Sequence, residues 1–382
     1  MKTCRIGPRG FAGGLVLGTM WLLTGCAGFF VSTSSTSSTT TGADYVYLVN
    51  QSANTLTGYI LGTGTLTEIS GSPYTLSTGL AAQTVTVSRA DTFVYVGGVG
   101  GIVCYSIGTS GVLTLVSGSG TSAQNANFVS LDTSPDGNWL FALDSNLNEL
   151  YVFKINTSTG ALAAATPVVT APVNGGTTVA KMVRISPNGE LAAVALSYGG
   201  DLIYTFNTTT GALADITTIA TGSTTLFDNA VAFDTTSEYL LIGRGGTVAG
   251  TSEIVVYGVG NTGVTTSGPL TTTSGNTPYS VLQVKTSTGS YVYSANRGDS
   301  TISGFTFNAG TLTALTNGTY GSGSAVDALA ADNTGAYIVS VASGGGTDVA
   351  LYEYDAVTAG RLDAVTVATS GAAGLVAVAA TH

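Results

Sequence analysis

A short hydrophobic segment, usually opened by an aromatic residue, recurs seven times along the chain. Successive copies begin 46 to 52 residues apart. The copies are Tyr45–Asn50, Phe93–Val96, Trp139–Asp144, Leu191–Val194, Tyr239–Ile242, Tyr291–Asn296 and Tyr337–Ser340. A near-constant period of this length is typical of proteins that repeat one small sheet around an axis or along a solenoid.

The pattern inside each repeat predicts four strands. An apolar first strand such as Phe128–Leu131 leads to a turn such as Ser134–Gly137, where Pro and Gly favour a tight reversal. The recurring segment is the second strand. A third strand such as Leu150–Ile155 alternates with period two, and a Thr-Gly turn then leads to a Leu-Ala-type outer strand.

The two ends of the repeated region carry complementary strands. The region opens with a second-type strand, Tyr45–Val49, and closes with an unpartnered first-type strand, Leu375–Ala379. Pairing them would complete a seventh sheet and remove the free edges of an open array. We therefore predict an all-β, seven-bladed β-propeller over residues 44–382, with four antiparallel strands per blade and one blade closed by the N- and C-terminal strands. An open β-solenoid is the alternative.

The first 43 residues differ from the repeats. Three basic residues and the short apolar run Phe11–Leu23 predict a signal peptide over residues 1–25, because 13 residues are too few to span a bilayer. Leu23–Cys26 reads Leu-Thr-Gly-Cys and resembles the lipobox of bacterial lipoproteins, which implies a lipidated Cys26. A plain cleaved signal is the alternative. The Ser/Thr-rich residues 26–43 then form a tether. We expect export and lipid anchoring to the bacterial cell envelope, with Ala27 favouring the outer membrane or cell surface.

Composition excludes several kinds of chemistry. The 11 Lys and Arg residues stand against 21 Asp and Glu residues, so nucleic acid is an unsuitable partner. The one histidine is His382, which excludes Ser-His-Asp hydrolysis, Cys-His chemistry and His-ligated zinc. No calcium-loop motif occurs, and we predict neither a metal nor a cofactor. Cys104 is expected to be a buried hydrophobic residue rather than a reactive thiol.

The repeated Ser-Pro-Asp-Gly turn, aromatic strands and Thr-Gly-x-Leu turn resemble the lactonase-like propellers, the 6-phosphogluconolactonase and muconate-cyclase family, and the YVTN-repeat surface proteins. The resemblance covers about residues 44–381. Its best match is Tyr293–Gly298, which implies that Arg297 points at the substrate region. Where family members carry Pro-His-x-His and Gly-Pro-Arg-His, this chain has Gln124–Asn127 and Val179–Met182, and the family Glu corresponds to about Ser197.

Loops at one face of a propeller bring candidate site residues together. The ligand-binding candidates are Lys181, Asp228, Arg244, Asn296 and Arg297. Two arginines among carboxylates are suited to clamping an organic acid, although ordinary solvated loop ends would show the same residues.

Two classes of function follow. The missing His and Glu favour a non-enzymatic binding or scaffolding module, with a small organic acid, a carbohydrate or an envelope protein as partner and the membrane reached through the lipid. The alternative is a lactone hydrolase or cycloisomerase, in which Arg297 polarises a carbonyl and Asp144 or Asp327 acts as base.

One pair of charges is placed by the repeat itself. Aligned turns put Asp132 and Arg184 at the same position of adjacent first strands. This alignment predicts a structural ion pair across the blade interface.

Overall fold

The computed structural model describes residues 44–382 except 119, 164–167, 171–177 and 264. The predicted signal peptide of residues 1–25, the lipidated Cys26 and the tether of residues 26–43 lie outside the described residues. Across the described residues, no helix has the length and apolar character needed to cross a membrane.

The strands form seven antiparallel four-stranded blades, which confirms the predicted seven-bladed β-propeller. Blades are numbered in chain order and their strands are given from the channel outward. Blade 1 contains Leu375–Ala380, Asp44–Asn50, Thr55–Gly62 and a divided outer strand, Thr65–Glu68 with Tyr74–Thr75. Blade 2 contains Ala81–Val87, then Phe93–Ile107, which supplies both its second and its third strand, and a divided outer strand. The outer strand consists of Leu113–Leu115 and the first residues of Thr121–Thr133, with a 3₁₀ turn at Thr109–Gly111. Blade 3 contains the rest of Thr121–Thr133, Trp139–Asp144, Glu149–Ile155 and Leu162–Ala163 with Val168–Val169.

The remaining blades have undivided outer strands. Blade 4 contains Met182–Ile185, Leu191–Ala195, Asp201–Phe206 and Leu213–Ile219. Blade 5 contains Leu226–Phe233, Tyr239–Gly246, Glu253–Val259 and Thr265–Thr273. Blade 6 contains Pro278–Thr286, Gly289–Asn296, Thr301–Asn308 and Thr311–Gly321. Blade 7 contains Val326–Ala331, Tyr337–Ala342, Val349–Tyr354 and Leu362–Ala368.

Blade 2 uses a glycine-rich hairpin where the other blades use a longer loop. The Ile107 N–H donates to the Thr92 carbonyl, so Phe93–Ile107 folds back on itself and supplies both the second and the third strand. The reversal lies near Gly100 and Gly101, whose φ angles of 99° and 135° suit glycine.

The predicted closure is present. The inner strand Leu375–Ala380 pairs antiparallel with Asp44–Asn50, and Leu48 lies opposite Val378. Both faces of the second strands contact neighbouring blades, so Trp139–Asp144 is buried along its whole length. Cys104 is also buried, as predicted, and burial raises the pKa of its thiol to about 12. That thiol is therefore inert at neutral pH.

A repeated contact joins each blade to another around the ring. The side chain that opens a second strand packs against a glycine with positive φ in the outer turn of the next blade. The seven pairs are Tyr45 with Gly111, Phe93 with Gly160, Trp139 with Gly211, Leu191 with Gly263, Tyr239 with Gly310, Tyr291 with Gly360, and Tyr337 with Gly64. The aromatic pattern along the sequence thus maps onto the contacts between blades.

Candidate functional site

A ring of β-bulges forms the mouth of the central channel. In six blades the pairing of the inner strand with the second strand skips one residue, and in blade 4 the corresponding Lys181 lies just before the paired Met182. We call these residues the mouth ring: Val376, Gln83, Val129, Lys181, Asn229, Tyr279 and Asp327, in blade order. All seven line a cavity of about 380 Å³. A bulge re-aims a side chain that regular pairing would place elsewhere.

The polar residues of the mouth ring are concentrated on one side. Blades 4 to 7 contribute Lys181, Asn229, Tyr279 and Asp327 in succession, whereas blades 1 and 3 contribute valines. The site is therefore asymmetric despite the repeated architecture, and its ionisable groups lie on the side formed by blades 4 to 7.

Arg297 adds a second cation to this side. It follows the second strand of blade 6, and its Nε lies 3.3 Å from Oδ1 of Asp327. The centre of its guanidinium is 4.7 Å from the centroid of the Tyr279 ring, while Lys181 Nζ lies 6.0 Å from the same centroid. The Arg297 side chain is 41% exposed and that of Asp327 only 4%. Asp327 and Tyr279 therefore hold the Arg297 guanidinium in place, and its exposed N–H groups are available to bind a ligand.

Asp327 has the environment of a general base. Burial raises the pKa of its carboxyl group, and the nearby Ser343 hydroxyl and Arg297 charge act in the opposite direction. Its Oδ2 is buried and accepts no hydrogen bond from the described residues. A carboxylate with a raised pKa at the wall of a cavity is a candidate proton acceptor.

Neutral amides line the opposite side of the mouth. Gln83 Nε2 donates to Asn127 Oδ1 at 2.6 Å, and Asn127 Nδ2 donates to Ser145 Oγ at 2.9 Å. Asn127 occupies one of the places where the family resemblance would put a histidine. These groups offer hydrogen bonds to hydroxyls but do not titrate near neutral pH.

The cavity has the opposite charge to the protein around it. Its lining includes Lys181, Arg184 and Arg297, but Asp327 is the one carboxylate among the described lining residues. Only eight of the 11 Lys and Arg residues belong to residues 44–382, which contain all 21 acidic residues. Three cations converging in so acidic a chain favour an anionic ligand. Within the described residues, no three His, Cys, Asp or Glu side chains are grouped to hold a metal ion.

Two of the sequence candidates form a buried pair away from this cavity. Arg244 Nε and Nη2 donate to the two oxygens of Asp228 at 2.7 and 2.9 Å. Asp201 of blade 4 is completely buried beside them, and burial followed by the charge of Asp228 raises its pKa well above the usual value. Glu253 lies 3.8 Å from Arg244 on the outer side. These contacts join blades 4 and 5 and do not face the cavity.

The structure places Asp144 and Asn296 in loop scaffolding. Asp144 Oδ1 accepts the backbone N–H groups of Asn127, Asn146 and Leu147. The Asn296 side chain bonds the hydroxyls of Ser294, Thr301 and Ser303. Both residues are fully buried. Of the sequence candidates, Lys181, Arg297 and Asp327 are brought together at the cavity.

The predicted Asp132–Arg184 ion pair is not a direct contact, although burial raises the pKa of Asp132 and the nearby charge of Arg184 acts in the opposite direction. Asp132 Oδ2 accepts the Ile185 N–H at 2.8 Å, whereas Arg184 Nη1 donates to the Val183 carbonyl at 2.8 Å and to Ser130 Oγ at 3.3 Å. No nitrogen of Arg184 lies within 4.0 Å of a carboxylate oxygen in the described structure. The unpaired backbone N–H of the neighbouring inner strand competes successfully for the Asp132 carboxylate.

A regular spacing could have identified most of the mouth ring. Gln83, Val129, Lys181, Asn229 and Asp327 each lie five residues before the polar residue that opens the following turn. Tyr279 departs from this spacing because the first hairpin of blade 6 is extended, with Thr286 paired directly to Gly289. Tyr279 and Gln83 were missed because neither belongs to a recognised motif.

Comparisons with known proteins agree with the geometry of the fold. The family profile described as "Lactonase, 7-bladed beta-propeller" matches residues 37–181. No curated protein sequence matches the chain.

Three solved structures illustrate the likeness. A Bacteroides fragilis protein named as a candidate 6-phosphogluconolactonase has a TM-score of 0.72 at 16% identity, covering 90% of this chain and 99% of that one. The Bacteroides uniformis counterpart has a TM-score of 0.72 at 14% identity, covering 88% and 99%. The Pseudomonas aeruginosa periplasmic gluconolactonase has a TM-score of 0.68 at 14% identity, covering 87% and 98%. At such identities the likeness establishes the fold, a seven-bladed β-propeller.

Proposed function

We propose that the cavity binds a hydroxylated organic acid and that the protein hydrolyses the corresponding lactone, as the names of the similar gluconolactonase structures suggest. The observation that carries the proposal is the Arg297–Asp327 pair at the mouth of a positively charged cavity in an acidic protein. A volume of about 380 Å³ suits a ligand of sugar size. The amides of Gln83 and Asn127 are placed to bind its hydroxyl groups.

The proposed reaction uses the Arg297–Asp327 pair and Lys181, which lines the same cavity. Asp327 accepts a proton from water while the water oxygen bonds to the lactone carbonyl carbon. Arg297 and Lys181 stabilise the negative charge that develops on the carbonyl oxygen. The ring C–O bond then breaks, Asp327 returns the proton to the departing ring oxygen, and a hydroxy acid leaves the site.

Hydrolysis of glucono-1,5-lactone and its 6-phospho derivative, measured above the spontaneous rate, tests this proposal. Asp327→Asn and Arg297→Gln should each lower kcat/KM by about 100- to 1,000-fold, the usual effect of losing a general base or an oxyanion donor. Arg89→Gln is the control, because Arg89 is exposed and lies outside the cavity. Equal turnover in wild type and Asp327→Asn would overturn the assignment of the base.

A second candidate is binding without turnover. It is favoured by the near-complete burial of Asp327 and by Asn127 and Met182 standing at places where the family resemblance implies histidines. This candidate predicts that gluconate binds calorimetrically in an Arg297-dependent manner while neither lactone is hydrolysed above background.

We also propose that the propeller works at the cell envelope, tethered through a lipidated Cys26. The support is the Leu-Thr-Gly-Cys sequence after a short apolar run. Cys26→Ser should release the protein into soluble fractions, and an unmodified Cys26 in the intact mass of the mature protein would refute the anchor.

A further inference from the structure

We infer that Lys181 is a modification site at which a bound lactone acylates the protein. The inference rests on the proposed function only in that the cavity takes a lactone, and it goes beyond hydrolysis to a covalent product that stays in the cavity. Acylation converts one cation of the mouth ring into a neutral amide. High lactone concentrations should therefore inactivate the site.

The main chain holds the Lys181 amine at the cavity. Lys181 belongs to the mouth ring, and its backbone N–H donates to the Ala195 carbonyl at 2.9 Å. Its Nζ lies 6.0 Å from the centroid of the Tyr279 ring, and the guanidinium of Arg297 lies 4.7 Å from the same centroid. The amine and the group proposed to polarise the lactone carbonyl therefore lie around one ring.

The Lys181 amine is not held by a counter-charge. Among the described residues it forms no ion pair, and Asp327, the one carboxylate in the described cavity lining, contacts Arg297 instead. A lactone carbonyl bound at Arg297 therefore meets an amine that need not break a contact with an acid before it reacts.

The proposed acylation needs no reactant other than the lactone. The unprotonated fraction of the Lys181 amine attacks the lactone carbonyl carbon, the ring C–O bond breaks, and the departing ring oxygen takes a proton from Nζ. An amide of the hydroxy acid remains on Nζ, and no leaving group departs. Water and Lys181 thus compete for the same carbonyl, and holding amine and carbonyl together favours the reaction of Lys181 over that of a lysine in solution.

Two other lysines among the described residues provide an internal comparison. Lys154 and Lys285 are exposed and lie outside the cavity lining. Lys154 also matches the aromatic neighbourhood of Lys181, because its Nζ lies 5.8 Å from the centroid of the Trp139 ring. All three amines meet the lactone in solution, but Lys181 also meets it in the cavity. Faster acylation of Lys181 therefore reports binding rather than the general reactivity of lysine.

Time-resolved peptide mapping of the full-length protein with glucono-1,5-lactone tests the inference. Lys181 should gain the mass of one whole lactone at least about tenfold faster than Lys154 or Lys285, because binding raises the effective concentration of lactone at its amine. The rate at Lys181 should saturate with lactone concentration and fall when gluconate is added. N-acetoxysuccinimide, an amine reagent that needs no binding site, should show no such preference.

Three variants separate the modified amine from the bound lactone. Lys181→Arg keeps the charge but lacks the amine, so it should form no adduct in the cavity, and any hydrolysis it retains should not decline during exposure to lactone. Arg297→Gln should slow the acylation of Lys181, because the carbonyl loses its binding partner. Lys285→Arg is the matched control and should leave the acylation of Lys181 unchanged.

Each outcome separates this inference from the proposed function. Equal acylation of the three lysines, or the same preference with N-acetoxysuccinimide, overturns the modification site even if the lactone is hydrolysed. Selective acylation of Lys181 without hydrolysis overturns the hydrolase and supports the modification site. Absence of both hydrolysis and selective acylation defeats both.

Discussion

The buried charges between blades 4 and 5 are arranged so that their net charge is small. Arg244 makes two hydrogen bonds to Asp228, and both side chains are almost inaccessible to solvent. Asp201 beside them has a strongly raised pKa because of its burial and the charge of Asp228. The raised pKa favours the uncharged acid form of Asp201, so the charge of Arg244 is balanced by Asp228 in direct contact and by Glu253 at 3.8 Å.

This assignment predicts unequal effects for two chemically identical substitutions. Asp228→Asn removes the carboxylate in direct contact with the buried Arg244, leaves Glu253 at 3.8 Å as its remaining counter-charge, and should lower the free energy of unfolding by up to about 3 to 5 kcal/mol. Asp201→Asn should cost far less, because the raised pKa of Asp201 favours an uncharged acid, which an amide of the same shape can replace. Urea unfolding at pH 7 measures both, and equal losses would show that Asp201 is ionised in the folded protein.

Asp44 gives a pH dependence of defined sign. Burial raises the pKa of its carboxyl group from 3.8 to about 6, while a hydrogen bond from Thr381 acts in the opposite direction. The folded protein therefore binds this proton more tightly than the unfolded chain does, so the contribution is fully present below pH 3.8 and is lost as pH rises through 6. Relative to Asp44→Asn, the wild-type Tm should fall between pH 4.5 and 7.5. A constant difference between the two proteins would contradict the shifted pKa.

At the scale of the strands, neighbouring blades satisfy the edges of each other's inner strands. Thr84 Oγ1 accepts the Leu131 N–H, Ser130 Oγ accepts the Val183 N–H and Ser280 Oγ accepts the Leu329 N–H. On its channel side an inner strand has no neighbouring strand to pair with. These hydroxyl oxygens therefore accept the backbone N–H groups that would otherwise be unpaired. The polar residues in otherwise apolar first strands therefore join blades.

Gly211 in the outer turn of blade 4 and Gly222 in the loop between blades 4 and 5 provide a matched test of blade packing. Gly211 and Gly222 have nearly equal φ angles of 75° and 76°, but a Cβ on Gly211 would overlap the Trp139 ring, whereas nothing lies within 4 Å of a Cβ on Gly222. Both alanine variants should lose about 1 to 2 kcal/mol to left-handed strain. Gly211→Ala should lose a further 1 to 3 kcal/mol to overpacking. Chemical denaturation of both variants checks this, and identical losses would exclude a packing role for Gly211.

Strands were predictable from sequence to the extent that one repeat resembled the next. Trp139–Asp144 was predicted with its observed bounds, and the terminal strand Leu375–Ala380 differs by one residue, because apolar period and turn chemistry are local signals. The contacts of a side chain, by contrast, depend on residues that are distant in the sequence. Whether Asp132 meets Arg184 or the Ile185 N–H depends on a neighbouring blade, and the bulge at Tyr279 depends on the length of its own hairpin. Of the sequence candidates, Lys181, Arg297 and Asp327 therefore lie at the cavity; the five-residue spacing would have added Gln83, Val129 and Asn229, whereas nothing local indicated Tyr279.

At the scale of the whole ring, the two ends of the repeated region reproduce a bond found inside the other blades. The Trp139 N–H donates to Ser134 Oγ at 3.0 Å across the turn between the first and second strands, and the Leu191 N–H donates to Ser186 Oγ at 2.9 Å. In blade 1 the Tyr45 N–H donates to Thr381 Oγ1 at 3.0 Å, although 336 residues separate them. Thr381 thus takes the place of the turn serine in the divided blade.

Removing Ala372–His382 should consequently destabilise the entire propeller rather than one blade. The deletion takes away the inner strand of blade 1, exposes the edge of Asp44–Asn50 and removes Val376 from the mouth ring. Because each blade packs on two neighbours, opening the ring should lower the Tm of the single unfolding transition. Thr381→Val removes the hydrogen bonds of the Thr381 hydroxyl to the Tyr45 N–H and to Asp44, and should lower stability by about 2 kcal/mol, at roughly 1 kcal/mol for each bond. Deletion of His382 alone, which contacts Asp91 at the surface, should have little effect. An unchanged Tm after the eleven-residue deletion, or a separate early transition confined to blade 1, would show that the ring does not depend on its terminal closure.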